Sequence, residues 1–407
     1  MENFNKIIIF TISPMNKDFA KKYGVDFFNK NKISVIFLNL CQLLYGKESA
    51  HKTGWDRFEK SNEFTEIPIS DYATFNNFLN SNRDGAIIYI NITLKVKLLF
   101  YIFRSKIPFI SGSLWGGIQT KDWSINKSIL ISKLLFKVKK LINNPLKVVR
   151  GRLTNICLKL LELAHPPHLI LSNSSEFVSK FKGKKNTLLN HTFDYDRFLM
   201  NKDIDKPSYI PNEKYYVLLP NHPWMVGDYI INEAKKDSAI NQESYSALIN
   251  MTLNQIELIS GIRILVAGYP NAIPEEDIYE GRDFLLGTET EQLVKYSSGV
   301  ITHFTGAINF AVIHNKPICL INYRELDKDP RFYNAITSYS KFLDLPLNYV
   351  NNEAEISNMM SKGLFANNFS EYPKYMHKFI TPKELIGKSD FLFWQRVHNK
   401  LINQSKN

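Results

Sequence analysis

The sequence predicts an α/β protein made of two successive doubly wound domains, and three observations carry that reading. Continuous apolar runs of strand length alternate with helical patterns from residue 6 onward, as in parallel sheets covered on both faces. The alternation restarts after a polar stretch at 201–213 that holds Pro207 and Pro211 and reads as a linker. The charge divides at the same place. Residues 1–210 hold 32 Lys and Arg against 17 Asp and Glu, whereas 211–407 hold 19 against 22, so the net charge of +12 originates in the first half. A length of 407 residues suits two to three domains.

In the first half, strands are expected at 6–12, 33–38, 86–90, 107–110 and 169–172, with 187–191 leading out. A helix is expected at 93–106, and 124–164 reads as largely helical and basic. In the second half the expected strands are 215–219, 262–267, 299–302 and 317–322. Helices are expected at 239–260, 289–297 and 306–314, and Gly261 stands where a helix C-cap belongs. Phe391, Phe393 and Trp394 mark a terminal helix that docks by its aromatics.

Composition excludes several classes. An apolar content of 44% builds cores and excludes a disordered chain. Cys41, Cys157 and Cys319 are too few and too scattered for a disulfide scaffold or a C-x-x-C metal site, which fits a reducing cytoplasm. No uncharged apolar run reaches the ~18 residues of a membrane span, and the start lacks the basic head of a signal peptide. A cytoplasmic protein is the expectation. The basic half would meet an anionic partner: nucleic acid, a membrane surface or an acidic glycan.

The most informative stretch is 262–322. It contains Ile262-Arg263-Ile264-Leu265-Val266-Ala267-Gly268-Tyr269-Pro270-Asn271, then Thr290–Ser297, then Val300-Ile301-Thr302-His303-Phe304-Thr305-Gly306-Ala307, and Lys316-Pro317. Together with His191–Asp196 and Tyr216–Asp228 it resembles GT-B glycosyltransferases. The resemblance covers about 185–325 and is strongest to a group of bacterial surface-carbohydrate biosynthesis proteins, to which sialic-acid-like and Kdo (ulosonic acid) transferases are similar in style. It implies two Rossmann-like domains facing a central cleft: an acceptor-side domain at 1–205, a nucleotide-sugar-binding domain at 206–375, and a helical tail at 376–407. The implied donor-binding set is Tyr269, Pro270, Thr290, Thr302, His303, Thr305, Gly306 and Ala307. The chain departs from the group in having Tyr269-Pro270-Asn271 for His-Pro-Arg, Thr305-Gly306 for Ser-Thr or Ser-Ser, and Gln292 where a Glu is frequent. Stacking of the base on Tyr269 and a different donor are two readings of the first departure.

The residues add physical reasons. Helix starts near Thr290 and Gly306 offer free N–H donors to a phosphate, with Thr290 and Thr305 as phosphate ligands or as plain caps. His222 follows the first strand of the second domain. It and Asp228 are candidate general bases, and His222 is equally a loop histidine bonded to backbone. Asp194 and Asp196, read as loop residues, are a base or nucleophile, or serve as an N-cap or in an Asx turn. His303 ends a strand and faces either cleft or packing, and His314 caps a helix. The loop Ser111–Gly117 with Trp115 is a candidate acceptor site or a plain loop. Residues 127–142 form a lipid-facing or a core helix, with Leu130, Leu134 and Val138 on one stripe and Lys133, Lys137 and Lys140 on another. No metal-ligand motif occurs, so a metal-independent site with no cofactor beyond the donor is expected.

The sequence reading is therefore a glycosyltransferase of O-antigen or capsule synthesis, peripheral at the inner membrane. It would move a sugar from a CMP- or UDP-linked donor, with a CMP-activated ulosonic acid preferred on resemblance, to a lipid-linked glycan. A UDP-hexose transferase, a nucleotide-sugar 2-epimerase and a basic nucleic-acid-binding protein are the alternatives. The last lacks any nucleic-acid motif with interleaved aromatics.

Overall fold

A computed structural model of the chain describes residues 4–52, 61–90, 96–112, 156–157, 160, 163–173, 186–222, 240–268, 277–285, 290–365, 369–386 and 392–405. Thirteen strands lie among them, in two sheets in which every pairing is parallel.

The first sheet holds β1 (Lys6–Thr11), β2 (Ser34–Asn39), β3 (Thr65–Pro68), β4 (Ala86–Ile90), β5 (Phe109–Gly112), β6 (Leu169–Ser172) and β7 (Thr187–Leu189), in the order β3-β2-β1-β4-β5-β6-β7. Its helices are α1 (Lys17–Lys22), α2 (Val25–Lys30), α3 (Cys41–Tyr45), α4 (Lys47–Lys52), α5 (Tyr72–Ser81) and α6 (Val96–Ser105). Because side chains alternate along a strand, Ile7 and Ile9 join one core while Ile8 and Phe10 join another on the opposite face. That is why β1 and β4 read as unbroken apolar runs.

After α7 (Phe193–Asn201), the second sheet holds β8 (Tyr215–Leu219), β9 (Arg263–Ala267), β10 (Phe284–Leu285), β11 (Gly299–Thr302), β12 (Ile318–Asn322) and β13 (Leu347–Tyr349), in the order β10-β9-β8-β11-β12-β13. Its helices are α8 (Gln242–Ser260), α9 (Thr290–Tyr296), α10 (Ile308–Ile313), α11 (Pro330–Leu343), α12 (Glu353–Ser361) and α13 (Tyr372–Phe379). Asn241 caps α8 through its side chain, and Gly261 closes it at φ +66°, as its position after the last apolar repeat implies. In each sheet the strand order reverses beside the first strand, between β1 and β4 and between β8 and β11. Such switch points open a crevice at the carboxyl ends of the strands.

Among the differences from the sequence reading, three bear on the site and the sheets. Residues 193–201 form α7, so Asp194 and Asp196 stand in its first turn and not in a loop; acids there are favoured by the helix dipole. Strand β3 went unread because Thr-Glu-Ile-Pro is short, charged and ends in proline, which only an edge strand tolerates. Strand β10, of two residues, carries no periodic signal. The loop after Gly112, with Trp115, and the helix expected at 127–142 lie outside the described residues.

The terminal helix α14 (Phe393–Ser405) leaves the second domain and packs into the first. Phe393, Trp394, Val397 and Leu401 belong to the same core as Ile7, Tyr23 and Phe28. Trp394 meets Phe28 and Tyr89 edge to face. Gly24 makes room for it: at φ +75°, a Cβ added there would lie 2.2 Å from the indole. Gly24→Ala therefore meets both a left-handed backbone and a collision. A loss of about 3 kcal/mol is expected in urea unfolding, and a loss below about 0.5 kcal/mol would contradict the docking of Trp394.

Candidate functional site

The carboxyl ends of β8 and β11 are tied together at the switch point of the second sheet. The Thr302 hydroxyl donates to the Leu219 carbonyl at 2.9 Å, and the Asn221 side-chain amide donates to the Phe304 carbonyl at 3.0 Å. The Tyr245 ring packs against those of His303 and Tyr323, which brings α8 to the same edge. His222, Thr302, His303, Thr305, Gly306 and Ala307 thus gather on two adjoining turns. Asp228, Tyr269 and Pro270 lie outside the described residues.

His222 is buried, with its Nε2 2.5 Å from the Tyr279 hydroxyl; Tyr279 in turn stacks on Phe284. Burial pushes the imidazole down to about 4, so it is neutral at pH 7. A base so weak, already holding a tyrosine, is poorly matched to taking a substrate proton in this arrangement. His303 is also buried and neutral, pushed down by burial to about 4. Its Nδ1 lies 2.7 Å from the Ile321 carbonyl, so Nδ1 carries the proton and Nε2 presents a lone pair. That Nε2 has no hydrogen-bond partner among the described residues. In this tautomer it accepts a hydrogen bond and does not donate one to a phosphate.

The turn before α10 is more open. Gly306 is exposed, and a Cβ built on it would meet nothing within 4 Å. The Thr305 hydroxyl accepts weakly from the Ala307 amide at 3.3 Å, a local cap. The amides of 308, 309 and 310 are engaged by the carbonyls of 305, 306 and 307. Anion donors at this start are therefore to be sought at the turn itself and not within the helix. At α9, Thr290 and the Glu291 carboxylate that follows it are buried. Glu291 accepts from Asn201 and Gln292, each at 2.7 Å, and is paired with His314 at 2.5 Å. Burial opposes its charge, but those three partners outweigh burial and hold the carboxyl below its ordinary range. A fixed negative charge already occupies that helix start.

The two aspartates of α7 part company. Asp196 is buried, pairs with His191, and accepts the Phe393 amide at 2.8 and 3.1 Å, so it anchors the start of α14. Asp194 is half-buried and accepts from Asn309 at 2.7 Å, whose own carbonyl oxygen accepts from Tyr375 at 3.0 Å. Asn309 lies in the first turn of α10, so Asp194 is bonded to the helix that follows the Thr305–Ala307 turn. Burial raises its pKa, against the pull of Asn309, Lys22 and Arg197.

The first sheet has a polar edge of its own. Thr11 and Asn39 end β1 and β2, on the face that also carries Ile9 and Phe37, and Glu66, the second residue of β3, lies opposite Phe37 with its carboxylate turned toward Asn39. Glu66 accepts from the Met15 amide at 3.0 Å and from the Asn39 side chain at 3.1 Å. Burial, only partly offset by those bonds, raises it to about 7. Glu66, Glu291, Tyr245, Tyr279 and Asn309 were not singled out from the sequence. Only Glu291 left a trace there, as an acid inside a segment whose helical register buries its neighbours.

Glu66 has a consequence for stability. Its folded pKa of about 7 lies above its ordinary 4.5, so the folded state holds the extra proton between those values. Its contribution is fully present below pH 4.5 and is lost as pH rises through 7. Glu66→Gln is expected to be more stable than the parent by about 2 kcal/mol at pH 8, discounted for partial exposure, and equal to it near pH 4.5. Urea titrations at the two pH values test this; no difference at pH 8 would refute it.

No family model matches the sequence, and no curated protein does. Among solved structures, the chain is similar to the wall teichoic acid polymerase TagF, at 11% identity over 99% of this chain and 90% of that one, with a TM-score of 0.57. A histidine-to-asparagine variant of TagF soaked with CDPG gives 10% identity, the same coverage and a TM-score of 0.53. A UDP-N-acetylglucosamine 2-epimerase gives 12% identity over 100% and 98%, with a TM-score of 0.47. At such identities the likeness is one of fold. With two parallel sheets of seven and six strands and a terminal helix crossing back to the first, the chain has the GT-B fold: two Rossmann-like domains.

Proposed function

We propose that the chain is a glycosyltransferase of bacterial surface-polysaccharide synthesis. It would take an activated group from a nucleotide donor at the Thr305–Ala307 turn and pass it to a lipid-linked glycan held by the first domain, at the cytoplasmic face of the inner membrane. The observation that supports this reading best is the open Gly306 turn at the switch point of the second sheet, where α/β sheets bind ligands. The likeness to TagF, a wall teichoic acid polymerase with a structure soaked with CDPG, supports a nucleotide-linked donor. Within that class a CMP-activated ulosonic acid remains the finer proposal, and a CDP- or UDP-linked donor is its competitor.

Among the described proton-acceptor candidates the contacts favour one. His222 is engaged by Tyr279 and Asp196 by Phe393, whereas Asp194 is half-buried, raised by burial, and bonded to Asn309 in the first turn of α10. We assign the acceptor role to Asp194, with His222 holding the loop.

A panel of CMP, CDP, UDP, GDP and ADP tests the donor site by thermal stabilisation. A nucleotide at 100 times its Kd is expected to add about 2.7 kcal/mol. Gly306→Leu should leave the melting temperature of the free protein unchanged, since the position is exposed and a Cβ there meets nothing within 4 Å, and should remove the nucleotide shift. A full shift in that variant, or none with any nucleotide in the parent, would overturn the donor site.

A further inference from the structure

Exposed apolar side chains stand beside exposed cations on α6. On α6, Leu98, Leu99 and Ile102 face the core, while Phe100 and Phe103 are 48% and 37% exposed. Exposed Lys97, Arg104 and Lys106 flank them, and the helix has no acid. Ile156, Leu160 and Leu163 are each helical and 54% to 76% exposed, and their spacing of four and three is that of one helix face. The His165 ring packs 5.5 Å from both Phe103 and Phe109, which sets the end of this second helical stretch beside α6.

Residues 91–170 carry fourteen Lys and Arg against two acids, Asp122 and Glu162. That excess of twelve equals the whole net charge of +12; the remainder of the chain is balanced at 37 of each sign. Apolar side chains in such number and proximity mark a surface that meets something. A second copy of the chain would bring two such basic regions together, and repulsion opposes that. Nucleic acid would meet the lysines but has no use for a row of Phe, Ile and Leu. An anionic bilayer takes both, apolar side chains below the headgroups and cations among them.

We propose that this face docks the protein on an anionic lipid bilayer, with Phe100, Phe103, Ile156, Leu160 and Leu163 entering the headgroup boundary. No described helix is long and apolar enough to cross a membrane, so the contact is interfacial. The proposal deepens the proposed function and rests on it only for what the bilayer carries.

The test is co-sedimentation of the full chain with vesicles of phosphatidylglycerol and phosphatidylcholine in equal parts, and with phosphatidylcholine alone. Binding is expected to the mixed vesicles only. The double variant Phe100→Ser/Phe103→Ser and, separately, Leu160→Ser/Leu163→Ser should each weaken it about tenfold without moving the melting temperature. Lys97→Glu/Arg104→Glu should weaken it about as much, through charge. No binding of the parent, or undiminished binding in both apolar variants, would overturn the proposal. Vesicle binding in a protein that no nucleotide stabilises would keep the docking face and remove the transferase reading, so the two failures are distinguishable.

Discussion

The arrangement of the two domains depends on one buried carboxylate. Asp196 sits in the first turn of α7, where the chain leaves the first sheet, and receives the amide that begins α14, where the chain returns to it. An isolated carboxylate at such depth would be costly. His191 and the start of a thirteen-residue helix offset that cost, since unbonded amides at a helix start need an acceptor. Arg396 adds bonds to Asn190 and to the Leu189 carbonyl. With α14 fixed at its first residue, Trp394 and Leu401 complete a core whose sheet was laid down more than two hundred residues earlier. The same segment ties the domains elsewhere: the Thr192 amide donates to the Ile380 carbonyl, and the Asn173 side chain to that of Phe379.

Polar groups at the carboxyl edge of the second sheet show how a site is built inside a core. Thr302 and Asn221 spend their side chains on backbone carbonyls, Tyr279 meets His222, and Tyr323 approaches Thr252 at 3.3 Å. Each bond removes a desolvation cost that burial would otherwise impose. The exceptions are informative for that reason. His303 Nε2 has no partner among the described residues, and Gly306 has room beside it. They adjoin the same turn, at the point where strand order reverses.

How much of this was legible follows from what each pattern encodes. Strands β1, β4, β8 and β12 are buried on both faces, so their sequences are unbroken apolar runs and their limits could be read within a residue or so. Gly261 announced the end of α8 because only a glycine takes that backbone without strain. The turn Thr302–Ala307 was found because a strand, a polar turn and a helix follow one another along the chain. Interactions between distant segments left no such trace. Nothing local in Asp196 says that its partner amide is Phe393, and nothing in Glu291 says that Asn201 and His314 enclose it. Even so, Asp194 and Asp196 directly after Thr192 carried a helix-start signal that a loop assignment overlooked. Glu66 escaped because its strand lies at a sheet edge and its partners come from two other strand ends.

The two carboxyl edges are chemically unlike, and this bears on which substrate each side can take. On the second sheet the described groups nearest the open turn are neutral: two histidines held uncharged by burial, hydroxyls, and backbone. Among the described groups, a phosphate approaching Gly306 meets dipoles, with Asp194 the nearest carboxylate along the Asn309 contact. On the first sheet the corresponding edge carries Glu66, which burial leaves balanced near neutrality between a proton and a charge. Such a group repels a phosphate once ionised but accepts hydrogen bonds from hydroxyls. It also weakens the fold above neutral pH. The asymmetry favours an anionic donor on the second domain and a hydroxyl-bearing acceptor on the first. The basic excess of residues 91–170 then lies on the acceptor's domain, where an anionic surface could approach without competing with the donor for the same charges.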